Sequence, residues 1–395
     1  MSKNILIFAD GTGNEGGLLP DESRTNVYKL FRATRVDPDS GIKPSEQLAF
    51  YVRGIGTPSP GHTSWMQRRR ERIQQMVGME LTQKITDCFV AIISAWQPGD
   101  RIYLFGFSRG AYTVRCLAHV LELLGIPTTE DDGKPISFEP KALHSLARKA
   151  VGILYKWGLP AKNVPRRGNE AETFRNKHSC KVGAEIGATP YFIGVWDTVA
   201  AIGWTHLLKI KYDLHYPKDV RFARHSMAID EYRKDFVRVK WGGSGTIPDP
   251  RPGEPFPFEQ VWFAGNHADI GGSYPENESR LSDIPLKWMA DFAELELPPE
   301  GRIQVNRERL NCFPSIDGMM HDECMVGIAG SELRWPHGER EVPMEATLHP
   351  TVYERLKMPS VRNFVGYGKY RPASLRNHIK AKAYFSDVTP SPVQS

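Results

Sequence analysis

No stretch of this 395-residue chain is apolar for long enough to cross a bilayer. The longest run, 88–96, falls far short of the ~20 residues that a spanning helix needs. Cysteine is scarce as well. The five residues Cys88, Cys116, Cys180, Cys312 and Cys324 are scattered and never form a Cys-x-x-Cys pair, which speaks against a disulfide framework or a zinc site and suits a reducing compartment. A dominant charge is missing too: 51 Lys and Arg against 46 Asp and Glu leave +5, too mild to argue for nucleic acid, though compatible with approach to an anionic surface. There is no basic tail at either end, and the densest basic cluster, 68–72, reads as a solvated helix face. Repeats and low-complexity tracts are absent. The first residues, Met-Ser-Lys-Asn, run directly into a strand, so synthesis in the cytosol without a signal peptide is expected.

What is present is an alternation of apolar strands and amphipathic helices. Residues 4–9 form a continuous apolar run ended by Asp10-Gly11-Thr12-Gly13, as in a strand buried on both faces, and 47–52 is a second candidate. Leu81, Ile85, Cys88, Ile92 and Trp96 recur at helical spacing before Pro98-Gly99. Residues 101–107 read as a strand and 109–124 as a helix carrying Ala111, Val114, Leu117 and Leu121. Further strands are expected at 191–196 and 258–264, and helices at 141–157, 221–230 and 284–295. The pattern predicts an α/β protein with a mainly parallel central sheet covered by helices on both faces. Its organisation reads as one domain over 1–384, with cap or insertion segments at 127–189 and 275–345 and a mobile tail at 385–395. The 127–189 insertion is expected over the catalytic edge of the sheet.

The chemistry concentrates at the strand ends. Gly106-Phe-Ser-Arg-Gly110 is a Gly-x-Ser-x-Gly turn between a strand and a helix, the arrangement that lifts a serine hydroxyl out of a sheet. With 35 glycines in the chain, chance gives roughly 0.2 such matches, so the flanking strand and helix carry the signal. A serine needs a base and a carboxylate that orients the base. Asp197 and His267 follow later apolar strands in the order Ser, acid, His, which makes Ser108, Asp197 and His267 the candidate triad. Asp269 competes as the acid, and His225 and His349 compete as the base. The oxyanion donors expected are the backbone N–H groups of Arg109, at the helix start, and of Gly11 or Thr12. The Arg109 side chain is a candidate substrate-phosphate contact or an ion-pair partner of Asp10, itself at the substrate end of the first strand. His225, Asp230, Glu231 and Arg233 read as a structural charge network on a helix. An aspartyl-phosphate mechanism lacks its nucleophile, since Phe8 stands where that Asp would be. A phosphate-cradling loop lacks its Gly-Lys-Ser/Thr. Nothing calls for a metal or another cofactor.

Four blocks stand in order: Phe8-Ala-Asp-Gly-Thr-Gly-Asn14, Gly106-Phe-Ser-Arg-Gly-Ala-Tyr-Thr-Val-Arg115, Gly194-Val-Trp-Asp-Thr-Val199 and Val261-Trp-Phe-Ala-Gly-Asn-His-Ala-Asp-Ile-Gly-Gly-Ser-Tyr274. Together with Arg224-His-Ser-Met-Ala-Ile-Asp-Glu231 and His349-Pro-Thr-Val-Tyr-Glu-Arg355, they resemble the α/β-hydrolase domain of the type VI secretion lipase effectors of the first class, a family long labelled a domain of unknown function. The resemblance implies an α/β-hydrolase fold and phospholipase activity through a Ser-Asp-His triad. Carried over, Ser108 is the nucleophile, His267 the base and Asp197 the orienting acid. It also implies a phospholipid or other acyl-ester substrate, peripheral membrane contact, no nucleic acid, and a secretion-machinery or immunity partner. Export by a contact-dependent system and peripheral action at membranes are both compatible with it. Unlike the larger effectors, the chain shows no evident extra membrane-binding region and no secretion adaptor sequence. A soluble carboxylesterase for small esters, and a non-catalytic hydrolase scaffold that senses a lipid or protein, remain the alternatives.

Overall fold

The computed structural model describes residues 2–11, 23–54, 66–156, 164–199, 217, 219–234, 236, 238–242, 248–324 and 336–386, with the backbone only for 66–80 and 155–156. Six strands lie side by side: β1 (Asn4–Ala9), β2 (Gln47–Val52), β3 (Arg101–Phe107), β4 (Pro190–Trp196), β5 (Phe222–Ala228) and β6 (Phe258–Phe263). All neighbours are parallel, in the order β2-β1-β3-β4-β5-β6. The two-residue period of a strand sends alternate side chains into two separate cores. Ile5, Ile7, Ile102 and Leu104 enter one, while Leu6, Phe8, Tyr103 and Phe105 enter the other. This double burial is why these strands read as unbroken apolar runs.

The first core is closed by α2 (Met66–Ala95), α3 (Arg109–Leu124), α4 (Pro140–Lys156) and α5 (Val164–Lys177). The expected stripe on α2 is buried at Ile85, Cys88 and Ile92, and the helix begins well before it. Within 127–189, Leu146, Ala150 and Phe174 join this core, so α4 and α5 lie against the face that α2 and α3 cover. The second core is closed by α1 (Asn26–Thr34), capped by the Thr25 hydroxyl accepting from Tyr28 N–H at 3.1 Å, and by α7 (Asp283–Asp291). There Phe8 stacks on Phe105 at 4.9 Å. A π turn, Phe292–Glu296, extends α7 over the rest of its expected span.

The remaining elements are short. α6 (His267–Gly271) follows β6, α8 (Arg307–Leu310) packs on α1, and α9 (Pro350–Lys357) precedes a hairpin of β7 (Val361–Asn363) and β8 (Gly366–Gly368). Val352, Leu356, Val361 and Tyr370 close a third core over Met227, Ile229 and Trp262. Among the described residues no helix is long and apolar enough to cross a membrane. The expected mobile tail lies outside the described residues from 387 onward.

One element departs from expectation. Residues 221–230 were expected to be helical, but Phe222–Ala228 is strand β5, buried along its whole length. The polar Arg224, His225 and Ser226 hid it, because each is buried only with partners. Arg224 donates to the Ala223 and Phe256 carbonyls at 2.9 Å, pairs with Glu259 and lies over the Phe292 ring. His225 is held from both sides, by Gln260 Oε1 and the Thr198 N–H.

The strand order reverses between β1 and β3. α1 leaves β1 toward one face and α3 leaves β3 toward the other, so a crevice opens at their carboxyl ends, the place where open α/β sheets bind ligands.

Candidate active site

Ser108 sits at that crevice, between β3 and α3, with φ +56° and ψ −122°. A residue with a side chain avoids that conformation, and it holds here because the surroundings leave no other. A Cβ on Gly106 would lie 2.6 Å from the Gly110 backbone, and one on Gly110 would lie 2.0 Å from the Ala9 carbonyl oxygen. Both glycines are therefore required for β1, β3 and α3 to meet around the serine. Ser108 N–H donates to the Trp196 carbonyl at 3.1 Å, and the residue is half-buried.

Asp197 directly follows β4 and is wholly buried, with φ +35°. His267 opens α6 after β6. Its Nδ1 lies 2.6 Å from Asp197 Oδ2, so the structure brings together two residues 70 positions apart. The imidazole packs against Phe107, the neighbour of Ser108, at 4.6 Å, and edge-on against Phe236 at 5.4 Å. Gly271 makes the first contact possible, because a Cβ there would lie 2.0 Å from the Phe107 ring. The His267 backbone N–H donates to Glu231 Oε2 at 3.1 Å. Glu231 is in turn gripped by Arg233 through two bonds of 2.8 Å, and Arg233 covers the Phe236 ring. Of the charge network expected on a helix, Glu231 and Arg233 pair in the loop after β5 and fix the backbone and one wall of the histidine. His225 instead lies within β5, and Asp230 bonds the Gly265 N–H and the Tyr370 hydroxyl.

A residue not anticipated from the sequence completes the pair. Arg340 lies bidentate on Asp197, with Nη1 2.5 Å from Oδ1 and Nη2 2.9 Å from Oδ2. The irregular segment that carries it is placed by the isolated Arg233–His337 bridge and by Gly338 N–H donating to the Tyr232 carbonyl at 2.7 Å. Ala228 N–H donates to Oδ1 at 3.1 Å. Burial alone would raise the Asp197 carboxyl; the Arg340 guanidinium and the His267 contact outweigh it and hold that carboxyl far below the usual carboxylate range. The group is a fixed anion.

The competing candidates are engaged elsewhere. His225 is buried in β5, where burial, followed by the charges of Arg115 and Arg238, pushes its imidazole down to about 3. That makes it a neutral bridge between strands. His349 caps α9, bonds Thr351 Oγ1 at 2.8 Å and stacks on Phe263 at 4.5 Å; burial pushes it down to about 4. It lines a cavity of about 370 Å³ with Ile284, Trp288 and Ile316. Asp269 does not orient His267. It forms a capping box with Asn266 and bonds His321 Nδ1 at 2.8 Å, with the Tyr274 ring stacked on His321 at 3.6 Å.

Asp10, expected at the substrate, is wholly buried. Its Oδ2 accepts from Thr25 and Tyr51 hydroxyls at 2.6 Å each, and its Oδ1 accepts from the Gly11 N–H at 2.7 Å. Burial pushes this carboxyl up to about 6 against those bonds. The carboxylate anchors the loop, and the Gly11 N–H expected for an oxyanion is bonded to Asp10. Arg109 opens α3 beside Ser108, while Thr12 lies outside the described residues, as do the side chains of 68–72. Among the described residues no group of three or more His, Cys, Asp or Glu side chains is arranged to hold a metal ion.

A family model described as the T6SS phospholipase effector Tle1-like catalytic domain matches residues 3–292. The chain is 28% identical over 259 residues to the uncharacterized protein YEL023C of Saccharomyces cerevisiae, which covers 62% of this chain and 34% of that protein. It is similar to an uncharacterized protein from Pseudomonas aeruginosa of known structure, with TM-score 0.41 and 17% identity over 80% of this chain and 49% of that one. A structure of the Tle1 effector bound to the VgrG spike of the type 6 secretion system gives TM-score 0.37 and 18% identity, over 70% of this chain and 52% of that one. The chain thus spans from about a third to about half the length of these relatives.

Proposed function

Because the chain belongs to the Tle1-like catalytic-domain family of type VI secretion phospholipase effectors, we propose that it hydrolyses acyl esters of phospholipids as a serine hydrolase of the phospholipase A type. The observation that carries this reading is the 2.6 Å bond from His267 Nδ1 to the buried Asp197, set against the Phe107 ring next to Ser108. Asp197 fixes the imidazole with Nδ1 protonated, leaving Nε2 to accept a proton. In the proposed reaction Ser108 Oγ attacks the acyl carbonyl carbon as Nε2 takes the hydroxyl proton. The Arg109 N–H at the start of α3 faces the oxyanion that forms. His267 then gives the proton to the departing lysolipid alkoxide, and water, activated by the same nitrogen, releases the fatty acid. Delivery by the secretion machinery that the family's description names is part of the same proposal.

The test is to incubate the full chain with phospholipid vesicles and identify products by mass spectrometry, with fluorophosphonate labelling in parallel. Fatty acid plus lysolipid, with label on Ser108, is the expected result. Labelling without lipid turnover but with hydrolysis of short soluble esters would replace phospholipase by carboxylesterase. Neither labelling nor turnover would leave a non-catalytic scaffold.

Arg340 makes a separate prediction. Its guanidinium holds both oxygens of the Asp197 carboxylate that bonds His267. Arg340→Gln removes that fork and leaves the buried anion with less compensation, so kcat/KM on a soluble ester is expected to fall about tenfold and the melting temperature to drop with it. Arg340→Lys, keeping the charge but not the fork, is expected to lose less. An unchanged rate per folded protein in Arg340→Gln would give Arg340 a purely structural place.

A further inference from the structure

Residues 355–386 contain eight Lys and Arg and no Asp or Glu. Against a whole-chain charge of +5, the other residues therefore carry a net −3. The cations stand two to seven residues apart, so no continuous basic run announces them. Lys357, Arg362, Lys369, Arg376, Lys380 and Lys382 are exposed, whereas Arg355 is buried and bonds backbone carbonyls of 316, 318 and 362.

Within this stretch, β7 and β8 pair antiparallel with Arg362 opposite Tyr367, and the chain turns at Phe364-Val365. The alternation of a strand gives the hairpin two faces. Val361 is buried against α9 and Tyr370 beyond β8 is buried too, which anchors one side to the third core. The other face presents Arg362, Phe364, Tyr367 and Lys369. Its apolar members are open to solvent: Val365 is 81% exposed, Tyr367 76% and Phe364 43%. An apolar, aromatic tip on a hairpin rimmed by cations is out of place for a strand face meant only for water.

We propose that this hairpin docks the protein on an anionic lipid surface. Phe364, Val365 and Tyr367 enter the headgroup boundary, and Arg362, Lys369 and the neighbouring cations meet lipid phosphates. The two contributions are complementary, since shallow apolar insertion and basic charge each give only marginal binding alone. Val365, the most exposed side chain, has no π face on which a nucleic-acid base could stack, and aromatic side chains beside cations fit a lipid interface. The choice of lipid over nucleic acid also rests on the phospholipid reading of the catalytic site. The segment lies beyond the family match at 3–292, and it supplies the membrane-binding region not anticipated from the sequence.

The test uses the full chain carrying Ser108→Ala, so that vesicles stay intact, in co-sedimentation with phosphatidylcholine alone or with roughly one third phosphatidylglycerol. Binding is expected with phosphatidylglycerol and not without it, and it is expected to fall at about 0.5 M salt. Val365→Asp with Tyr367→Ser should weaken it about tenfold, and Arg362→Gln with Lys369→Gln about fivefold per cation removed. In the Ser108 protein all four substitutions should leave the melting temperature and the rate on a short soluble ester unchanged. No sedimentation of the parent, or equal sedimentation of parent and variants, overturns the proposal. So does capture of a single-stranded oligonucleotide, lost with the same substitutions, in place of vesicles. Docking is read without turnover, so absence of fatty-acid release by the Ser108 protein would sink the phospholipase reading and leave the docking result standing.

Discussion

Ser108→Ala is expected to lower kcat/KM on phospholipid vesicles and on a soluble ester by about 10⁴-fold, with substrate binding retained. The hydroxyl is the only group the substitution removes. The backbone around it is fixed by Gly106 and Gly110, whose neighbours leave no space for a side chain, and alanine occupies the same φ of +56°. The fold should therefore persist, and the melting temperature of Ser108→Ala should match that of the parent. Ser108→Gly is a sharper companion. Glycine adopts positive φ without the steric cost of a side chain, so this variant should be equally inactive and more stable by about 1 kcal/mol. Initial rates together with thermal melts decide the matter. An alanine variant that kept the parent's rate would remove Ser108 from the reaction.

Asp197→Asn is expected to cost about 10³- to 10⁴-fold in kcat/KM, since an amide no longer enforces the tautomer that leaves Nε2 free to accept a proton. Here it carries a second penalty. Arg340 would keep its charge, with only 7% of its side chain exposed, and would face an amide that cannot balance it. Leaving one member of a buried ion pair without its partner destabilises a protein by roughly 3–5 kcal/mol. Activity and stability should therefore fall together in Asp197→Asn. The double variant Asp197→Asn/Arg340→Met should recover much of the stability and none of the rate. Rates normalised to folded protein, measured alongside denaturant unfolding, separate the two effects. Recovery of activity in the double variant would mean that Asp197 serves the fold rather than the base.

Much of the architecture was legible because physics and pattern coincide. β1, β3 and β4 are buried on both faces almost throughout, and β6 over its last three residues, so apolar runs lead up to the polar residues Ser108, Asp197 and His267 that follow them. β5 was not legible: Arg224, His225 and Ser226 break its run, and their burial is compensated by partners distant in sequence, such as Glu259 and Gln260. Asp269 carries a local signal of its structural place. An Asn followed three residues later by an Asp is a capping-box spacing, which ties up that carboxylate at the start of α6. Arg340 offered no signal at all. It comes from an irregular segment, 143 positions from its partner, and only the path of the chain brings them together.

The Arg340 clamp has a temporal side. A chain made from its N-terminus assembles β1 to β6 from the first 263 residues, and Arg340 follows later. Until it arrives, the buried Asp197 anion lacks its bidentate partner, and Asp230, at the end of β5, lacks the 2.8 Å bond from Tyr370. A nascent or truncated chain that stops at residue 292 would contain the whole family-matched segment and still lack Arg340 and Tyr370. Such a fragment is expected to be cleaved by protease faster than the full chain, because the carboxylate of Asp197 has lost its bidentate partner. The groups that hold the candidate site thus extend beyond the matched segment.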